Sequence, residues 1–173
     1  MEELSTLEIS SIAGLPAHPL VVHGAVVLVP LAAVALIAIG WRKDWRKHYS
    51  LPVALIAWAG WFLAQMASGS GEALEHDLKG AARQAGQNVR FGDHTELGST
   101  AAFIALILAI AATGLWVIDR WGSRFNLPPW ASTAMYGAGC LAAVAATAWM
   151  VQAGHTGAQL AWDTNAGAAA LLK

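Results

Sequence analysis

The chain has 173 residues, is 57% hydrophobic and only 12% charged, and carries a formal net charge of −1. A soluble domain carries about a quarter charged residues, so an ordinary soluble enzyme is a poor fit, and a near-neutral charge offers no footprint for nucleic acid. The lone Cys140 forms no internal disulfide, and no CxxCH is present for covalent haem attachment.

The opening "MEELSTLEIS" is acidic and lacks the positive segment of a signal peptide, so the first apolar helix is expected to be retained. Leu4, Leu7, Ile12 and Leu15 give residues 1–15 a weak apolar stripe suited to a surface. Four runs free of Asp, Glu, Lys and Arg follow: Leu20–Gly40, Leu51–Gly71, Leu97–Ile118 and Pro128–Gly154. Each is near the roughly 20 residues that cross a bilayer as a helix. A backbone in lipid must satisfy its own hydrogen bonds, which selects helices. Membrane helices are therefore predicted at about 19–40, 51–71, 94–118 and 129–155.

Pro19 suits the first turn of helix one, and His18 before it is biased away from helical dihedrals. Pro30 removes the bond to the Val26 carbonyl and is expected to bend the helix. Helix two is predicted to begin near Pro52. Past its apolar run, Leu74, Leu78, Ala81, Ala82, Ala85 and Val89 form a mildly amphipathic pattern, either an extension of the helix or an interfacial one. In helix four, Ala134, Ala138, Ala142 and Ala146 form a small-residue ridge that lets neighbouring helices approach. Short connections make consecutive helices antiparallel. The expected fold is all-α, a single-domain integral membrane up-down-up-down four-helix bundle.

Orientation follows from Lys and Arg in short loops. "WRKDWRKHYS" carries Arg42, Lys43, Arg46 and Lys47, and "DRWGSRFNLPPW" adds Arg120 and Arg124. These loops share one side, predicted to be inside, with Trp41, Trp45, Tyr49, Trp121 and Trp130 as an aromatic belt. Both termini are then outside, in a bacterial inner membrane.

Five of the six histidines (18, 23, 76, 94 and 155) fall at the predicted outer ends, and only His48 is inner. At a rise of 1.5 Å per residue, His18, His94 and His155 lie roughly 33–37 Å above the inner helix ends. His23 is about 7 Å deeper along helix one. An ionisable side chain within a bundle is a site candidate; an interfacial histidine also occurs with no ligand at all.

Neutral imidazole is a common metal ligand. Haem b needs one or two axial nitrogens and an apolar slot, which a bundle interior provides. A bare zinc, copper or iron ion is the rival, with acids such as Glu72, Glu75, Asp77, Asp93 and Glu96 nearby. Glu72 and His76 share a helix face, but the stretch also reads as a solvated acidic segment. Met66 and Met150 read as packing, and Trp58 and Trp61 as interfacial residues that would also suit a ring. No nucleophile–base constellation appears; Ser68, Ser70, Ser99 and Thr100 read as helix-end residues. An electron-transfer or binding protein is expected rather than a stand-alone enzyme.

"GLPAHPLVVHGAVVLVP", "DHTELGSTAAFI" and "AGHTGAQLAWDTNAG" together resemble the signatures of a bacterial four-helix membrane family, domain-of-unknown-function family 2231. Its members read like HP-x-x-VHF-P, HEELG and GH-x-GG-x-LVY. The resemblance spans nearly the whole chain and places the family histidines at His18, His23, His94 and His155; His76 matches no motif. Gly24 stands where the family often has Phe, Ala158 replaces the second Gly of the last motif, and Ala161-Trp162 replace Val-Tyr. The resemblance implies a redox context, since relatives occur beside c-type cytochrome or Rieske domains. The expected function is a b-type cytochrome or haem-binding electron-transfer subunit with one or two haems. His18, His23, His94 and His155 are the ligand candidates, and Gln152 and Gln159 flank His155. The alternatives are a copper, zinc or iron protein using the same histidines, and a cofactor-free subunit of a larger respiratory or photosynthetic complex.

Overall fold

The computed structural model describes residues 11–12, 15–86 and 92–162. Leu4, Leu7, Val89, Arg90 and both termini lie outside the described residues. A short antiparallel bridge pairs β1 (Ser11–Ile12) with β2 (Leu15–Pro16), Ser11 opposite Pro16. Four helices follow: α1 (Ala17–Gly40), α2 (Lys43–Gln84), α3 (His94–Trp121) and α4 (Trp130–Trp162). Each packs on its neighbours in chain order and α4 closes on α1, while α1 and α3 lie on a diagonal and barely touch. This is an up-down-up-down bundle. All four helices are long and apolar enough to cross a membrane, so the chain is a multi-pass membrane protein.

The helices extend past the apolar runs that announce them. α1 takes in His18 despite the bias imposed by Pro19, and it stays a single helix through Pro30. α2 starts at Lys43, well before Pro52, and continues through 72–84, so the amphipathic stretch is an extension of the same helix. Its 42 residues span about 63 Å, against a hydrocarbon core of about 30 Å. Both of its ends therefore project. The basic stretch is helical because it is amphipathic: Arg46 turns inward, half-buried, above buried Ser50, Val53, Ala54 and Ala57, while Asp44, Trp45, Lys47, His48 and Tyr49 stay exposed.

Alanine dominates the core, with Val29, Leu36, Leu108 and Leu115 the largest fully buried side chains. Water gives no hydrophobic drive between helices inside a bilayer, so close contact between small residues does much of the holding. The α4 ridge is buried only in part: Ala142 and Ala146 face the core, and Ala134 and Ala138 are exposed. Each i to i+4 step drifts by about 40° around a helix, which carries the far end of the ridge off the interface.

α2 approaches the α1 backbone closely at Gly60, where an added Cβ would lie 3.0–3.2 Å from Val29 Cγ2, Val29 N and the Leu28 carbonyl carbon. Two of those atoms are backbone and have little room to yield. Gly60→Val is expected to cost about 1–3 kcal/mol by overpacking. Gly69→Ala, which meets open space, is expected to be near neutral. Unfolding in graded SDS against mixed micelles checks both.

Candidate functional site: a histidine pair at one end of the bundle

At one end of the bundle, the first turns of the diagonal helices α1 and α3 bring His18 and His94 together. Their ring centres lie 6.5 Å apart, with the ring planes at 88°. Both side chains are half-buried. The remaining two helices supply the seats. An added Cβ at Gly71 of α2 would sit 2.9 Å from His18 Cε1, and one at Gly157 of α4 would sit 2.8 Å from His94 Cε1. Glycine at both positions is what lets each imidazole lie against its neighbouring helix.

The hydrogen bonds set the tautomers. His18 Nδ1 lies 3.0 Å from the Ala67 carbonyl oxygen, which can only accept, so Nδ1 carries the proton. Ser70 Oγ is 3.2 Å from the same nitrogen and donates its own proton to the Ala67 carbonyl. His94 Nδ1 lies 3.0 Å from Thr156 Oγ1. The Thr156 hydroxyl is within 3.2 Å of the Gln152 carbonyl and 3.0 Å of the Ala153 carbonyl, so it donates there and accepts from His94. Both rings therefore keep the Nε2 lone pair for a ligand, the arrangement that metal-binding histidines show.

Glu75 accepts hydrogen bonds from Lys79 and from the Thr95 hydroxyl, clipping the projecting part of α2 to the first turn of α3 beside His94. Thr156 and Gly71 were not predicted as site residues, Ser70 was read as a helix-end residue, and Glu75 entered only as one of the acids near a rival metal site. The signal for Gly157 and Thr156 was their place in "AGHTGAQ".

The other candidate histidines do not join the pair. His23 is exposed on the outer stripe of α1, with Nδ1 2.5 Å from the Pro19 carbonyl oxygen. His155 is exposed on α4. Gln152 contributes through its backbone carbonyl to Thr156, and no hydrogen bond links it or Gln159 to His155 among the described residues. His76 is almost fully exposed, 3.8 Å from the equally exposed Asp77. Trp58 and Trp61 pack on each other, and the Trp58 indole donates to Thr113.

Among the described residues, no set of three or more His, Cys, Asp or Glu side chains comes together to hold a metal. Among the described residues, the site thus offers two imidazoles. Zinc ordinarily takes four protein or water donors. Haem brings four nitrogens of its own and asks the protein for only one or two more. Two imidazoles on opposite sides of one metal ion, each bonded at about 2.0–2.1 Å, have ring centres about 6 Å apart, close to the observed 6.5 Å. An edge-to-face contact of two rings with nothing between them covers the same range. Small buried residues lie about two turns further in on α1, α2 and α3 at Ala25, Ala64, Ala101 and Ala102, and Ala153 lies about one turn in from Gly157 on α4.

The opposite end holds a polar cluster that the sequence did not reveal. Arg46 makes a two-pronged ion pair with Asp119, its Nε 2.9 Å from Oδ2, and Nη2 also reaches Ser132. Ser132 Oγ donates to Asp119 at 2.8 Å, and the Arg46 guanidinium lies 5.9 Å from the Tyr136 ring centre. Tyr136 in turn donates to the Ile37 carbonyl at 2.8 Å. One cluster thereby ties all four helices.

A family model described as a predicted membrane protein, DUF2231, matches residues 14–170. No curated protein and no solved structure matches the chain.

Proposed function

The chain belongs to the DUF2231 family of predicted membrane proteins, and on that footing we propose that it is a b-type cytochrome, a haem-binding electron-transfer protein. His18 and His94 would hold the haem. The observation that carries this reading is their meeting on diagonal helices, 6.5 Å apart, each with Nδ1 engaged and Nε2 free. One haem fits the single pair better than two, and His23 and His155 then have no part in ligation.

Bound between these residues, haem supplies a one-electron iron couple. The chain does the rest. Ala67 and Ser70 fix the His18 ring, Thr156 fixes the His94 ring, and Gly71 and Gly157 give the rings room. The buried alanines beneath close the bundle interior below the site. The Lys and Arg distribution supports a bacterial inner-membrane location with the histidine end outside. There a c-type cytochrome or Rieske protein, or a larger respiratory assembly, would exchange electrons with it. A bare copper, zinc or iron ion is less suited to a site with two protein donors.

The test is an absorption spectrum of the purified protein, oxidised and then reduced with dithionite. A narrow reduced α-band is expected. A colourless protein from haem-replete cells would overturn the reading.

The residues that hold the rings should matter without touching the iron. Thr156→Val, which keeps the shape but removes the acceptor for His94 Nδ1, is expected to weaken haem retention about tenfold or more. Titration of haem into the haem-stripped variant measures it.

A further inference from the structure

At the Arg46 end, a surface cavity of about 250 Å³ opens where α1 passes into α2, lined by Ala38, Trp41, Arg42 and Trp45. The Arg42 guanidinium lies 5.6 Å from the centre of the Trp45 ring. Among the described residues, no carboxylate pairs with Arg42. Trp41 is 87% exposed, and the stripe leading to it along α1, Val34 and Ile37, is exposed and apolar. Asp44 is the one acid close by in sequence; Lys47 and His48 follow on the same exposed helix start. These parts together form a cation at the head of an apolar track, flanked by indoles of the kind that settle at a membrane interface.

We propose that this cavity holds the phosphate of an anionic phospholipid, with Arg42 pairing the headgroup and an acyl chain lying along Val34 and Ile37. Charge complementarity selects the headgroup: a guanidinium matches phosphate oxygens in geometry as well as sign. The lipid, rather than a free phosphate ion, is chosen by the apolar track, which a small anion would leave uncovered. The proposal rests on the membrane-spanning fold and is independent of the haem reading.

The experiment reconstitutes the protein in phosphatidylcholine vesicles and adds brominated phosphatidylglycerol or, at equal mole fraction, brominated phosphatidylcholine. Tryptophan quenching reads lipid occupancy. The anionic lipid is expected to be preferred by about fivefold, with the preference lost in Arg42→Gln and retained in Arg120→Gln in the last turn of α3. Equal quenching by the two lipids, or an undiminished preference in Arg42→Gln, would overturn the proposal. Displacement by millimolar inorganic phosphate alone would also overturn it, by showing a phosphate-ion site.

Discussion

His18→Ala and His94→Ala are each expected to abolish the narrow reduced α-band, while His23→Ala and His155→Ala leave it unchanged. The asymmetry follows from where the rings sit. His18 and His94 are half-buried and 6.5 Å apart, and each is the only imidazole its side of the pair contributes. Removing either ring leaves a single protein donor. His23 and His155 are exposed, and neither completes a ligand set among the described residues. The expected effect of the first two changes is therefore near-complete, and that of the second two near zero. Spectra of the four variants, normalised to protein, decide it. A band that survives His94→Ala but not His155→Ala would reassign the ligands.

Asp119→Ala is expected to destabilise the bundle by about 3 kcal/mol, the lower end of the cost of stranding one member of an ion pair that is largely shielded from water. Both side chains are largely covered, 13% exposed for Arg46 and 14% for Asp119. The substitution strands the Arg46 guanidinium and leaves Ser132 without its acceptor. Replacing both charges together, Arg46→Met with Asp119→Leu, is expected to recover much of the loss, because burying the pair itself has a desolvation cost. A double-mutant cycle by SDS unfolding measures the coupling. Additive single losses would show that the two residues act separately.

The apolar parts of the four helices were legible because charge is nearly excluded from a bilayer interior, so its absence marks the spans. The same rule hid the start of α2. Arg46 carries a charge and was read as loop, yet Asp119 and Ser132 neutralise and bond it, which lets the helix begin at Lys43. That partnership is a matter of three-dimensional placement across α2, α3 and α4, and no local pattern announces it.

The histidines show a different limit. Rise along a helix gives depth, and depth placed His18, His94 and His155 in one layer. Depth says nothing of direction. Five residues turn a helix about 140° beyond a full turn, so His18 and His23 face different ways on α1. On α4, Ala153 is buried and His155 is exposed, two residues and more than half a turn apart. The seats at Gly71 and Gly157 were equally hard to read, since a glycine's role there depends on which ring lies against it.

Haem binding by His18 and His94 can be read by electron paramagnetic resonance of the oxidised protein. The ring planes stand at 88°. If both imidazoles held one haem iron with their planes so crossed, they would give a highly anisotropic low-spin ferric signal, lost in His18→Ala and in His94→Ala. A rhombic low-spin signal of parallel planes, a high-spin signal in the unaltered protein, or no haem iron at all would contradict it.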